Sequence, residues 1–180
     1  MEAVVVKEAL SVAVVDNSVA DHWDQARLEW RIVGSEYDPE AGGTCICGKQ
    51  RIADQFTIEN PQTGMTLFPI GNECIKLFDR PDFDERSHLH LDAKRSLRAQ
   101  GLNAGTLDLK SVSKRVIEAS LRAGVINEWQ CGFLIDMKGK RRPPSPKQEA
   151  KMVEALGQIA SGLDSGVMAL PSDSGDEDRQ

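Results

Sequence analysis

Residues 44–78, TCICGKQRIADQFTIENPQTGMTLFPIGNECIKLF, decide how the chain is read, because three of its four cysteines and its clearest hairpin signal fall inside them. Cys45 and Cys47 stand two apart beside Gly48. That spacing lets two thiolates converge on one cation while the glycine relaxes the backbone around them. Residues 52–58 then alternate as a half-buried strand does, with Ile52, Phe56 and Ile58 on one face and Arg51, Gln55 and Thr57 on the other. Asn60, Pro61, Thr63 and Gly64 supply turn chemistry, and residues 65–70 read as the returning strand. Gly71 breaks that strand, and Asn72 is placed to cap a short helix whose first turn holds Cys74, where unpaired amides favour a thiolate. Knuckle, hairpin and helix start are the parts of a treble-clef-like zinc site.

The pattern Cys-x-Cys-Gly, Ile-x-Asn-x-x-Thr-Gly and Ile-Gly-x-x-Cys-Ile-x-x-Phe is carried here by Cys45, Cys47, Gly48, Ile58, Asn60, Thr63, Gly64, Ile70, Gly71, Cys74, Ile75 and Phe78. It resembles a signature of small zinc-binding proteins of bacteriophages and mobile elements. A second patch, residues 133–148, ending in Ser145, Pro146, Lys147 and Gln148, resembles the downstream part of such proteins. The resemblance implies a zinc-binding, non-secreted protein of a phage-like genome and brings no activity with it.

A chain of 180 residues, 40% of them hydrophobic, can bury one sizeable core or a modest domain with a satellite unit. Aromatics make up only 5%, so the core is expected to be aliphatic, in an α+β fold with a small sheet and many helices. The net charge of −6 argues against coating nucleic acid through bulk charge, while leaving room for a local basic patch. No apolar run approaches the roughly 18 residues a membrane span needs, and Lys7 and Glu8 interrupt the valine-rich start. A cytoplasmic protein without a membrane partner is expected, its cysteines reduced or metal-bound.

Five segments follow from the pattern. Residues 1–26 hold two valine runs, at 4–6 and 12–15, that read either as strands or as loosely ordered chain, and Ser18 can cap a short helix through Ala26. Residues 27–80 form the zinc-stapled hairpin unit, with an alternating strand at 28–32 placed to join the hairpin as a third member and a loop at 34–43. Residues 81–104 are a charged linker passing into a helix near Ser87. Residues 105–163 form a helical unit. Its helices are expected up to Gly124, from the cap pair Asn127 and Gln130, and from Ser145, which has proline next and a capping-box Gln148. Residues 164–180 make a small, acidic tail expected to be disordered.

Cys45, Cys47 and Cys74 are the expected metal ligands, zinc being the cofactor their chemistry suits, against the plainer reading of three small buried apolar residues. One turn after Cys74 stand Leu77 and Phe78 rather than a ligand, so the fourth donor is left to His88 or His90, to Asp79 as a weaker choice, or to a water that would leave the position open. Cys131, three before Leu134 and four before Ile135, has the spacing of a core residue. No glycine-rich phosphate loop, paired-carboxylate motif or nucleophile with its base is legible, so no enzyme is expected, a metal-dependent hydrolase being the one enzymatic alternative. Lys138, Lys140, Arg141, Arg142 and Lys147 form the one basic cluster fit to contact phosphate, though without interleaved aromatics to stack bases. The leading expectation is therefore a non-enzymatic zinc protein that contacts nucleic acid or its machinery. The alternative is an adaptor or inhibitor that binds a host defence or transcription protein through acidic surface.

Overall fold

The computed structural model describes residues 2–102 and 106–164, with side chains for 8–101 and 106–164. The acidic tail from residue 165 onward lies outside the described residues. The chain is an α+β protein of helices and small antiparallel sheets, divided into two units, Met1–Ser87 and His88–Gln180.

The first unit opens with helix α1 (Glu2–Asp16) where the valine runs left strand and loose chain both open. β-Branched residues disfavour a helix only slightly, and burial of a face outweighs that preference. Leu10 and Val14, one turn apart, are both buried. Ser18 does not cap the next helix. Its hydroxyl donates to the Val14 carbonyl at 2.7 Å and accepts from the Trp30 indole at 2.8 Å. The short helix α2 (Trp23–Ala26) starts from His22 without a side-chain cap.

Strand β1 (Arg31–Tyr37) begins later than the alternation at 28–32 suggests, since Leu28 is exposed in a turn while Trp30 is buried. The shorter loop after it is closed by Asp38, whose carboxylate accepts from the amides of Glu40 and Gly42. Strands β2 (Gly43–Thr44) and β3 (Gln50–Ile52) form a two-stranded ribbon; β4 (Asp54–Asn60) and β5 (Met65–Gly71) complete a second sheet in the order β1-β4-β5. The expected third strand is thus present, with β4 central and antiparallel to both neighbours. Arg31 and Glu59 pair across β1 and β4 at 3.0 Å.

Buried Asn60 explains the Asn-x-x-Thr-Gly turn. Its oxygen accepts from the Gln62 amide and its nitrogen donates to Glu29, while the Thr63 hydroxyl donates to the Asn17 carbonyl, so the turn is tied to the segment after α1. Helix α3 (Asn72–Ile75) and a 3-10 turn (Lys76–Phe78) follow β5. Phe78 and Phe83 stack with centroids 4.6 Å apart, and the Arg80 guanidinium donates to the carbonyls of Arg27, Leu28 and Trp30.

Helix α4 (Pro81–Leu102) starts earlier than the expected linker allows. Pro81 stands at its first position with Asp82 and Asp84 in its first turn, so charge read as linker serves the helix dipole. Its first turns belong to the first unit and the remainder, from His88, to the second.

The second unit is an aliphatic helical core. A 3-10 turn (Leu109–Ser111) precedes α5 (Lys114–Arg122), α6 (Glu128–Gly139) and α7 (Pro146–Asp164). Ser113 caps α5 through the Val116 amide. Asn127 and Gln130 form the expected reciprocal box at 2.9 Å in both directions, and Ser145 with Gln148 forms the second at 3.0 and 3.4 Å. Val116, Ile117, Leu134 and Ile159 are fully enclosed, and Cys131 packs among them. On α7, Leu156, Ile159, Ala160 and Leu163 are buried, and Val153 is exposed. Gly162 lies inside the helix. A Cβ there would come within 3.0 Å of both Val125 methyl groups, so glycine allows the close approach.

Candidate metal centre

The sulfurs of Cys45, Cys47 and Cys74 lie within 4.8 Å of one another, all three residues are buried, and none is in a disulfide. The ribbon places the first two. The Cys45 carbonyl accepts from the Gly48 amide at 2.7 Å, and the Cys45 amide donates to the Lys49 carbonyl at 2.8 Å. Gly48 turns the chain with a φ of +88°, a conformation glycine adopts without steric cost. The Ile46 amide donates to the Pro69 carbonyl at 3.0 Å and pins the knuckle to β5.

Strand β5 delivers the third sulfur. Gly71, extended and uncapped by any side chain, opens α3 in place of the expected Asn72 cap, which instead accepts from the Ser87 hydroxyl at 2.6 Å through its side-chain oxygen. A Cβ on Gly71 would stand 3.3 Å from a methyl group of Ile52 and 3.9 Å from Cβ of Cys45, so glycine brings the helix start against the knuckle. The Gly71 amide donates to the Cys45 sulfur at 3.3 Å.

These contacts set the electrostatics. The Cys74 thiol donates to the Cys45 sulfur, and the backbone amides of Gly71 and Cys47 add to it against the cost of burial, which together draw Cys45 well below the usual thiol range. Giving that bond, and burial, push Cys74 upward. A cation among the sulfurs would take the place of that hydrogen bond and satisfy both. Three convergent cysteines of this kind can hold a metal ion.

A cleft of about 220 Å³ opens beside the cysteines, lined by Cys45, Cys74, Lys49, Arg51, Asp54 and Asn72 among others. Of these, the sequence pattern alone did not single out Lys49 or Asp54. Lys49 follows the knuckle glycine directly, which was the available signal. Glu73 also lines the cleft, and Lys76, 2.7 Å away, holds its carboxyl below the usual range. His88, exposed, and His90, buried, both lie on α4 in the second unit. Neither belongs to the group formed by the three sulfurs. Asp79 is likewise outside that group, in a left-handed conformation after the 3-10 turn.

The basic cluster occupies the turn between α6 and α7, and its members are not equivalent. The Lys138 ammonium donates to the carbonyls of Leu109 and Val112 at 2.8 and 2.6 Å, so it holds the preceding 3-10 turn in place. Lys140 pairs with Asp136 at 2.5 Å. Arg141 and Arg142 are exposed and make no ion pair or hydrogen bond among the described residues, and Lys147 is exposed in the first turn of α7. Lys110, Lys138, Lys140, Arg141 and Arg142 line a second cleft, of about 490 Å³, together with Asp108, Leu109, Met137 and Met152. Lys110 was missed in sequence because it is about 30 positions away from the turn it joins. Cys131 is a buried core thiol pushed up by desolvation, as its helical spacing suggested.

Compared with protein-family models, with curated proteins and with solved structures, the chain matches none.

Proposed function

We propose that the chain is a non-enzymatic zinc protein of a phage-like element, in which a treble-clef-like centre staples the first unit and the basic turn of the second contacts nucleic acid. The zinc reading is supported by the donor set, since buried, convergent thiolates suit zinc better than harder cations. Tetrahedral zinc at its usual sulfur distance separates thiolates by about 3.8 Å, so the three sulfurs need contract by at most about 1 Å to close on it. The knuckle ribbon supplies two of the ligands and the start of α3, reached through the hairpin, supplies the third, in the order a treble clef uses.

One observation carries the nucleic-acid reading. Arg141 and Arg142 stand exposed and unpaired at the edge of a cleft that Lys110 and Lys140 also line, in a chain whose net charge is −6. Two unpaired guanidiniums beside further cations are suited to phosphate oxygens, and the exposed first turn of α7 adds amides to them. Lys138 also lines the cleft, but its ammonium is committed to backbone carbonyls and is not offered to phosphate.

The test is a salt titration of oligonucleotide binding by the full chain and by Arg141→Glu/Arg142→Glu. The wild-type affinity should fall steeply with salt. The variant should bind more weakly, with a slope shallower by about one unit for each phosphate it no longer touches. Equal affinities for the two proteins would remove the basic turn from the reading and favour a protein partner instead.

A further inference from the structure

We propose that the metal held by Cys45, Cys47 and Cys74 keeps its fourth position open to the adjoining cleft and takes there a small, exchangeable, monodentate anion. The inference rests on the metal reading above and adds what completes the site.

A tetrahedral ion needs a fourth donor, and the first unit has few to give. Its one histidine is His22, whose side chain is 80% exposed and stands beside Asp21. Two carboxylates line the cleft, and neither joins the three sulfurs within 4.8 Å. The Glu73 carboxylate is instead paired with Lys76 at 2.7 Å. What adjoins two of the cysteines is a cleft. The cleft is bounded by Cys45 and Cys74 themselves, and its 220 Å³ is room for a small anion with a few waters, each water needing about 30 Å³.

Charge decides what enters. Three thiolates leave a divalent ion at −1, which by itself would repel an anion. Lys49 and Arg51 line the same cleft and offset that charge, while Glu73 is neutralised by its own lysine. The site is then close to neutral. A neutral site admits an anion that bonds to the metal without holding it by long-range attraction, so the ligand exchanges rather than staying bound.

The experiment replaces the metal with cobalt(II) in the full chain and reads its spectrum. The near-ultraviolet thiolate-to-cobalt band reports that the cysteines hold the ion, and the visible d–d bands report the fourth ligand. Azide at constant ionic strength should shift the visible bands saturably while the thiolate band persists. Lys49→Glu and Arg51→Glu should each weaken azide severalfold and leave the response to neutral imidazole unchanged. Visible bands that ignore azide overturn the proposal, and if His88→Ala or His90→Ala then makes them responsive, the chain's own histidine is the fourth ligand. Equal azide affinity in the charge variants overturns the role of Lys49 and Arg51. Absence of the thiolate band would be a separate failure, that of the metal reading itself.

Discussion

Helix α7 is fixed to its own unit by Ala155, Leu156, Ile159, Ala160 and Leu163, all buried in a continuous aliphatic cluster, whereas the ribbon β2–β3 has strands of two and three residues and brings Ile52 and two cysteines to its inner side. Each fully buried aliphatic side chain contributes about 1.5–3 kcal/mol, so the helical unit gathers its stability in many small shares. A ribbon that short is marginal by itself in water, and its apolar area cannot offset the chain entropy of holding it closed. Distributed burial tolerates the loss of any one member. A centre built on three sulfurs does not, and the two halves should fail in different ways.

The largest effect is expected at the cysteines. Cys74→Ser, or removal of the metal by a chelator, should lose the ion and disorder the knuckle and the neighbouring hairpin, because metal affinity in small stapled units is folding free energy, about 10–16 kcal/mol for zinc-finger peptides. Metal analysis, with amide hydrogen exchange over residues 43–75, measures both. The helical unit should keep its protection. If the hairpin stays protected in metal-free protein, sheet β1-β4-β5 is self-sufficient and the contrast between the units collapses.

A middle-sized effect is expected in the aliphatic core. Leu134 is fully buried, and Leu134→Ala removes its methyl groups and leaves a cavity, which costs about 2–5 kcal/mol. Urea unfolding monitored on the helical unit should show that loss with no change in metal stoichiometry. A drop in bound metal would mean that the two units do not fail independently.

What could be read from the sequence follows the range of the interaction behind each feature. The Asn127–Gln130 and Ser145–Gln148 boxes are legible because each is closed within three residues, and the convergence of Cys45 and Cys47 because the knuckle is local. Cys74 is legible because a hairpin of ordinary length returns it to the knuckle. Helix α1 was not, since valine runs suit a strand as well as a helix and burial of Leu10 and Val14 settles the matter from outside the segment. Nor could the sequence tell Lys138 from Arg141. One donates to carbonyls 26 and 29 positions away, the other is exposed, and both look alike in a basic run. The same limit explains Ser18, whose partner Trp30 is twelve residues on. The fourth metal donor stayed open for a related reason, because no histidine, aspartate or glutamate occupies the helical position where such a ligand is locally expected.

The smallest effect separates two features that look equal in sequence. Both capping boxes satisfy two helix-end amides, and loss of a cap side chain costs about 0.5–2 kcal/mol. They differ in geometry and surroundings. Asn127 and Gln130 bond at 2.9 Å each way, Gln130 is buried, and its side-chain nitrogen also donates to Gln158 on α7 at 2.9 Å. Ser145 and Gln148 bond at 3.0 and 3.4 Å on the exposed end of α7, where water can replace either partner. Asn127→Ala should therefore cost more than Ser145→Ala, toward the upper part of that range against the lower, because it leaves a partly buried amide without an acceptor. Paired urea melts of the two variants, read on helical signal, check the order. Equal losses would mean that solvent reaches the start of α6 as freely as the start of α7, and that the aliphatic unit is looser at that end than its buried side chains imply.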